Sequence, residues 1–322
     1  MRKIYIVILF LSFGLLVACQ SKESDASRVE IKEVNEKYDF YVNDTVFKIK
    51  GAGINYNDGH DYAGLKAAGG NAFRTWGTYK IDEELKAAEE FDLMIAVGLN
   101  LGKELHGFDY NDKRAVADQF ERIKEIIKTY KNHPNVLCWV VGNELNLLFQ
   151  EDGVSLQMVN PKVYDAVKEI TDFIHQEDPN HPVTTTFAGI IPEHLEMALE
   201  RCDNLDFVSV QVYGALESVQ QAMTDTGIEL PYVVTEFGPL GHWETPSTEW
   251  GREIEEPSGI KADGFEKRIT SGLANNTSGK CLGGFAFEWG QKQERTPTWY
   301  GMYYKDGSQT ERIDVLTKYW TG

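Results

Sequence analysis

Short apolar segments alternate along most of the chain with segments whose apolar positions recur at helical spacing, and about eight such pairs follow one another. The apolar segments are nearly continuous, as in strands buried on both faces of a parallel sheet. These two observations predict an α/β protein, a single-domain (β/α)8 TIM barrel preceded by an N-terminal β-hairpin. A doubly wound sheet is the competing arrangement. It would want a glycine-rich first turn, and the sequence contains no GxGxxG or GxxxxGK.

Taken in order, residues 1–18 read as a secretory signal. Arg2 and Lys3 precede the apolar run IYIVILFLSFGLLVA, which is too short for an ordinary membrane span. The run ends in LVAC, which resembles the lipobox of bacterial lipoproteins. The resemblance implies cleavage before Cys19 and lipidation of its sulfur. Residues 19–37 are polar and are expected to form a flexible tether, and residues 38–322 to form the barrel. YDFYVNDTVFKIKG predicts a hairpin turning at Asn43-Asp44. FKIKGAGIN, NAFRTW, LMIAVGLN, VLCWVVGN, PVTTTF, DFVSVQVY, PYVVTEFG and CLGGFAFEW are the eight barrel strands. Between them, helices are expected after His60, over 82–91, over 112–132 opened by Asp112, from Asn160-Pro161 to about 177, over PEHLEMALERC, over about 216–226, and after about 261. ERIDVLTKYW closes the chain as the last helix.

The net charge of −18 argues against nucleic acid as a partner. After Cys19, three cysteines remain, Cys138, Cys202 and Cys281, without CxxC spacing, and they read as buried thiols. The seven histidines are scattered, with no HxH or HExxH, so neither a metal nor a cofactor is expected. Membrane contact is expected through the lipid alone and the protein as a monomer. The expected location is the bacterial cell envelope, with the outer membrane favoured by Gln20.

In a barrel of this kind the chemistry sits at the carboxyl ends of the strands. The predicted strands end in Asn55 and Tyr56, Arg74 and Trp76, Asn100, Asn143 and Glu144, Tyr213, Glu236, and Glu288 and Trp289. Two glutamates facing each other across the mouth suit glycoside hydrolysis: one carboxyl must deliver a proton to the leaving oxygen, and the other must be ionised to attack. Arg74 would supply positive charge near Glu236, and Tyr213 a hydroxyl donor to it. Tryptophans offer flat apolar faces to sugar rings, and Trp76 and Trp299 are candidates either for that contact or for packing. Glu288 sits on a different strand, and we expect it to be structural or a minor substrate contact.

Asn143-Glu144 after the fourth strand and Glu236 after the seventh resemble glycoside hydrolase clan A. The wording GNE, the arginine of NAFRTW, VTEFG and the closing stretch FEWGQKQERTPTWYGMYY are similar to the family 2 TIM-barrel domain, from about residue 38 to the end. The resemblance implies a retaining mechanism with Glu144 as acid/base and Glu236 as nucleophile. It implies that Asn143 binds the sugar 2-hydroxyl, that Arg74 and Tyr213 tune Glu236, and that Trp289 floors the reacting subsite. It covers the barrel without the β-sandwich domains that flank it in many family 2 enzymes, so we expect substrates other than their galactosides and glucuronides. The expected substrate is a β-linked poly- or oligosaccharide, with β-glucan or β-mannan favoured. Three other readings stay open. A sugar acceptor could replace water, making a β-glucan transglycosylase. A non-catalytic carbohydrate-binding lipoprotein would share the aromatic rim. A barrel lyase or aldolase would want a strand-end lysine or a carboxylate-histidine metal site.

Overall fold

The computed structural model describes residues 26–148 and 159–322. The signal segment and Cys19 lie outside the described residues. The chain first forms a small antiparallel sheet of β1 (Val29–Val34), β2 (Lys37–Val42) and β3 (Thr45–Phe47). The expected hairpin is β2–β3. Its turn residues Asn43 and Asp44 have φ of 48° and 63°, the left-handed conformation a tight hairpin turn needs and that Asn and Asp tolerate. The tether expected over 19–37 gives way earlier: Val29–Val34 pairs with β2 through a second left-handed turn at Asn35 and Glu36. The reason is visible in VEIKEV. Its apolar residues alternate with charged ones, so Val29 and Ile31 pack inward while the other face stays polar.

The barrel strands are β4 (Ile49–Gly53), β5 (Ala72–Arg74), β6 (Met94–Leu99), β7 (Val136–Val141), β8 (Val183–Thr184), β9 (Thr186–Ala188), β10 (Val208–Gln211), β11 (Tyr232–Phe237) and β12 (Cys281–Ala286). All pair in parallel, in the order β8-β7-β6-β5-β4-β12-β11-β10-β9. The two ends of that order, β8 and β9, are one stave interrupted at Thr185, so eight staves close the barrel as expected. Thr185 donates its hydroxyl to the Val141 carbonyl at 2.7 Å, holding the interrupted stave against β7.

The outer layer comprises α1 (Tyr62–Ala67), α2 (Ile81–Phe91), α3 (Lys113–Tyr130), α4 (Lys162–Glu177), α5 (Pro192–Arg201), α6 (Val219–Asp225), α7 (Ser258–Ile269) and α8 (Glu311–Thr321). Asp112 caps α3 through the backbone N–H groups of Arg114 and Ala115. The helix expected over 216–226 divides into a 3-10 turn at Gly214–Ser218 and α6.

Among the described residues the core has three parts, the smallest being Tyr213, Phe287, Trp299 and Tyr300 at the carboxyl end. A large one lies between strands and helices and includes Trp139, whose indole N–H donates to Asp178 at 2.7 Å. A smaller one fills the barrel itself with Ala72, Met94, Ala96, Cys138, Val140 and Phe285. Phe40 of β2 enters this second core, edge-on to Phe207 at 5.5 Å. Tyr38 and Val29 donate backbone N–H groups to Gly279 and Asn180, which precede barrel strands. The small sheet therefore closes the amino end of the barrel and leaves the carboxyl end open. Cys138, Cys202 and Cys281 are free thiols, the first two buried.

Gly98 marks the tightest approach of β6 to the segment after β5. A Cβ there would lie 2.3 Å from the Thr75 carbonyl oxygen. Gly98→Ala must push that segment away, so a loss of about 1–3 kcal/mol is expected, read as a fall of several degrees in a thermal melt. An unshifted melt would show that this approach is not tight.

Candidate active site

The carboxyl ends of the strands open on a cleft of about 1380 Å³. Beyond β7 the chain turns sharply. Gly142 has φ of 74°, and Glu144, two residues on, has φ of 49°. Glycine adopts the first freely; for a glutamate the second is uncommon and is held only by its surroundings. One such restraint is the Glu144 N–H, which donates to the Thr186 hydroxyl of β9 at 2.9 Å. The turn delivers the Asn143 and Glu144 side chains to the cleft.

Arg74 ends β5. Ala72, two residues earlier, lies in the barrel interior, and strand alternation puts Arg74 on the same side. It has no exposed surface. Its Nη1 donates to the Thr235 carbonyl at 3.1 Å and to Glu236 Oε1 at 3.3 Å, and its Nη2 to Asn143 Oδ1 at 2.9 Å. A guanidinium only donates, so the Asn143 atom facing it must be the oxygen. Gln211 Nε2 donates to the same oxygen at 2.7 Å. Asn143 is thus oriented with its amide NH2 left to the cleft.

Glu236 lies near the end of β11, where the pairing with β10 shifts register so that Gln211 stands opposite Glu236. Irregularities of this kind re-aim side chains beside functional sites. Three side chains donate to the Glu236 carboxylate: Arg74, Trp76 through its indole N–H at 2.7 Å, and Tyr213 through its hydroxyl at 2.9 Å. Glu144 is treated differently. Burial, followed by the negative charge of Glu236, pushes its pKa up to about 7, while Lys103 and Arg74 oppose the rise. Burial first, then the charges of Glu236 and Glu144, holds the Tyr213 hydroxyl well above its ordinary range, so it stays a donor.

The structure therefore brings six of the sequence-predicted residues together: Arg74, Trp76, Asn143, Glu144, Tyr213 and Glu236. Two tryptophans are corrected. Trp289 is fully buried, donates its N–H to the Asp61 carbonyl at 2.9 Å and packs on Tyr303 and Trp320. It does not line the cleft; its neighbour Phe287 does. Trp299 is also buried, with its N–H on the Leu240 carbonyl at 2.9 Å, and Tyr300 lines the cleft beside it. In both pairs the larger ring filled the space behind the wall, a partition that residue type alone does not reveal. Glu288 is buried yet lines the cleft, 3.7 Å from Lys292. Gln211 escaped the sequence reading. Its signal was a polar residue closing the apolar strand VSVQ, which is also the position of Arg74 in its strand. Trp243, on the loop after β11, lines the cleft and is exposed.

Residues 48–242 match the family described as glycosyl hydrolases family 2, TIM barrel domain. The chain belongs to this family. It is 25% identical over 217 residues to a β-glucuronidase of Paenibacillus borealis, an alignment covering 61% of this chain and 34% of that one. Among solved structures, a family 2 β-galacturonidase from Eisenbergiella tayi bound to galacturonate superposes with a TM-score of 0.67 at 15% identity, over 92% of this chain and 54% of that one. Bacteroides uniformis β-glucuronidase 2 gives 0.69 at 15%, over 91% and 37%. At these identities the likeness is one of fold. The family 2 barrel here spans about a third of the curated relative and between a third and just over half of these solved chains.

The Glu144 environment has a consequence for stability. Its ordinary pKa of 4.5 applies to the unfolded chain, and about 7 to the folded one. The stabilisation linked to its bound proton is complete below 4.5 and is lost as pH rises through 7. Glu144→Gln is uncharged and nearly isosteric. It should match wild type at pH 4 and exceed it by about 1–3 kcal/mol at pH 8, measured by urea unfolding. The same difference at both pH values would contradict the raised pKa.

Proposed function

We propose that the chain is a retaining β-glycoside hydrolase acting on a neutral β-linked poly- or oligosaccharide, with β-glucan and β-mannan the favoured substrates. The observation that carries the reading is the asymmetry of the two carboxyl groups. Glu236 receives three donors, as a carboxylate that must attack an anomeric carbon requires. Glu144 is placed where it holds a proton near neutrality, as a group that must deliver one requires. In the first step Glu144 gives its proton to the glycosidic oxygen as Glu236 bonds to the anomeric carbon and the leaving alcohol departs. In the second, Glu144, now a carboxylate, takes a proton from water as that water displaces Glu236. The Asn143 NH2 is free to bind a sugar hydroxyl beside the reacting carbon.

Charge supports a neutral substrate. The cations lining the cleft are Lys80, Lys292 and Arg295, and each has a carboxylate within reach: Glu83 at 3.2 Å, Glu288 at 3.7 Å and Glu253 at 3.4 Å. The uronic acids in the names of the relatives carry a carboxylate that would have to compete for these cations. Size supports more than one sugar unit, because the cleft exceeds the roughly 300–1,000 Å³ of a pocket for a single small ligand. Exposed aromatic faces, Tyr79 after β5 and Trp243 after β11, stand at its walls. We further propose that the enzyme works at the bacterial envelope, held by lipid on Cys19, on the strength of the LVAC segment alone.

The test uses wild type and Glu236→Gln with β-1,3-, β-1,4- and β-1,6-glucans, mannan, xylan, and aryl β-glucuronide and β-galacturonide. Wild type should release products from a neutral glycan with retained anomeric configuration by NMR, and Glu236→Gln none. Glu144→Gln should lose about 10²–10⁴-fold in kcat on substrates with poor leaving groups. Cleavage of the uronides alone would overturn the substrate class. Inverted products would overturn the mechanism. Products longer than the substrate would convert the reading to transglycosylation, and binding without cleavage would convert it to a carbohydrate-binding protein.

A further inference from the structure

Helix α2 carries a carboxyl group that the mechanism does not use. Its buried face is Ile81, Glu84, Leu85 and Ala88, the spacing of an apolar stripe with a glutamate inside it. Glu84 is 4% exposed, yet it lines the cleft. Among the described residues its Oε2 has no hydrogen-bond partner, and neither has the hydroxyl of Tyr62, which is close enough to feel the charge of Glu84. A buried carboxyl oxygen on an apolar stripe, unpartnered among the described residues, is unfavourable for folding unless something else uses it.

We propose that Glu84 is a substrate-recognition residue, whose carboxyl hydrogen-bonds the hydroxyl groups of a neutral sugar unit lying between the loops after β4 and β5, apart from the reacting bond. The proposal rests on the glycoside hydrolase reading above and says which part of the chain substrate that side of the cleft holds.

Three further observations point the same way. Tyr56 and Tyr79, from those two loops, line the same cleft and supply aromatic surface for a sugar ring. The Tyr56 ring is held in place, stacked on His60 at 4.2 Å and with the Lys80 ammonium 5.6 Å from its centroid. Burial, with a smaller contribution from Glu83, also pushes the Glu84 carboxyl up to about 8, so near neutrality it is a protonated acid. A protonated carboxyl both donates and accepts, which matches two adjacent hydroxyls on a sugar and does not demand a cation in the ligand.

The experiment compares wild type, Glu84→Gln and Glu84→Met on a ladder from an aryl β-monoglycoside to oligosaccharides of the glycan that wild type cleaves. The readout is the ratio of kcat/KM on the longer substrates to that on the monoglycoside. Glu84→Met should lower this ratio about tenfold or more. Glu84→Gln, which still donates and accepts, should keep most of it. The melting temperature of Glu84→Met should equal or exceed that of wild type, because an apolar side chain replaces an unpartnered polar one. The same comparison made for binding, in the Glu236→Gln background by calorimetry, needs no turnover. A ratio unaffected by Glu84→Met, or a lowered melting temperature with equal losses on every substrate, overturns the proposal and makes Glu84 a structural residue. If nothing is cleaved but oligosaccharide binding still weakens in Glu84→Met, the hydrolase reading falls and the recognition site stands. If the oligosaccharides neither bind nor react, both fall.

Discussion

A guanidinium with no exposed surface sits at the centre of this protein. Arg74 is positively charged and cut off from water, a situation tolerated only when acceptors surround the charge. Those acceptors come from β11, through Thr235 and Glu236, and from the turn after β7, through Asn143. One side chain from β5 therefore ties together the two barrel ends that carry the glutamates. Because it can only donate, it also decides which way Asn143 faces. Stacking under Trp76, 5.0 Å from the ring centroid, extends the same set of contacts to a residue that donates to the same Glu236 Oε1. The barrel supplies the geometry for this convergence, since inward-facing residues at the carboxyl ends of β5 and β11 point to a common axis.

From that centre the division between the two carboxyl groups follows. Glu236 is enclosed by donors, and Glu144 meets mostly a buried environment and the charge of Glu236. Two chemically equal groups thus sit in different surroundings: Glu236 accepts from three side chains, while burial and the charge of Glu236 raise the Glu144 carboxyl. The left-handed backbone at Glu144 belongs to the same arrangement. An extended continuation of β7 would alternate Asn143 and Glu144 to opposite faces. The sharp turn at Gly142 instead brings both to the cleft, so the glycine of GNE matters as much as the two polar residues after it.

Much of this was legible in the chain. Strand ends were readable because a polar or charged residue closes an apolar run in each of NAFRTW, VLCWVVGNE and VVTEFG, and because a parallel barrel gathers those ends. The cap at Asp112 and the turn at Asn43-Asp44 were readable from local chemistry. The failures share a physical cause. Trp289 and Trp299 follow β12 where Phe287 and Tyr300 also lie, and only packing decides which ring faces the cleft and which fills the space behind it. Gln211 looked like one residue of a valine-rich strand. Its role depends on a register shift between β10 and β11 that neither strand's pattern encodes. β1 looked like tether because half its residues are charged, although the other half pack against the barrel.

The fold also separates what is shared with other barrels from what is particular to this chain. The amino end is covered by β1–β3, and the cleft at the carboxyl end is lined by segments that follow the strands, including Glu84 of α2. Tyr56 and Tyr79 from the loops after β4 and β5, and His242, Trp243 and Glu253 from the loop after β11, line the same cleft as Glu144 and Glu236. The loop after β11 can change its aromatic and charged residues without touching Arg74, and Arg74 can hold Asn143 and Glu236 whatever sugar lies above them. This is why a fold shared with enzymes named for uronic acids is compatible with a cleft whose lining cations are already paired.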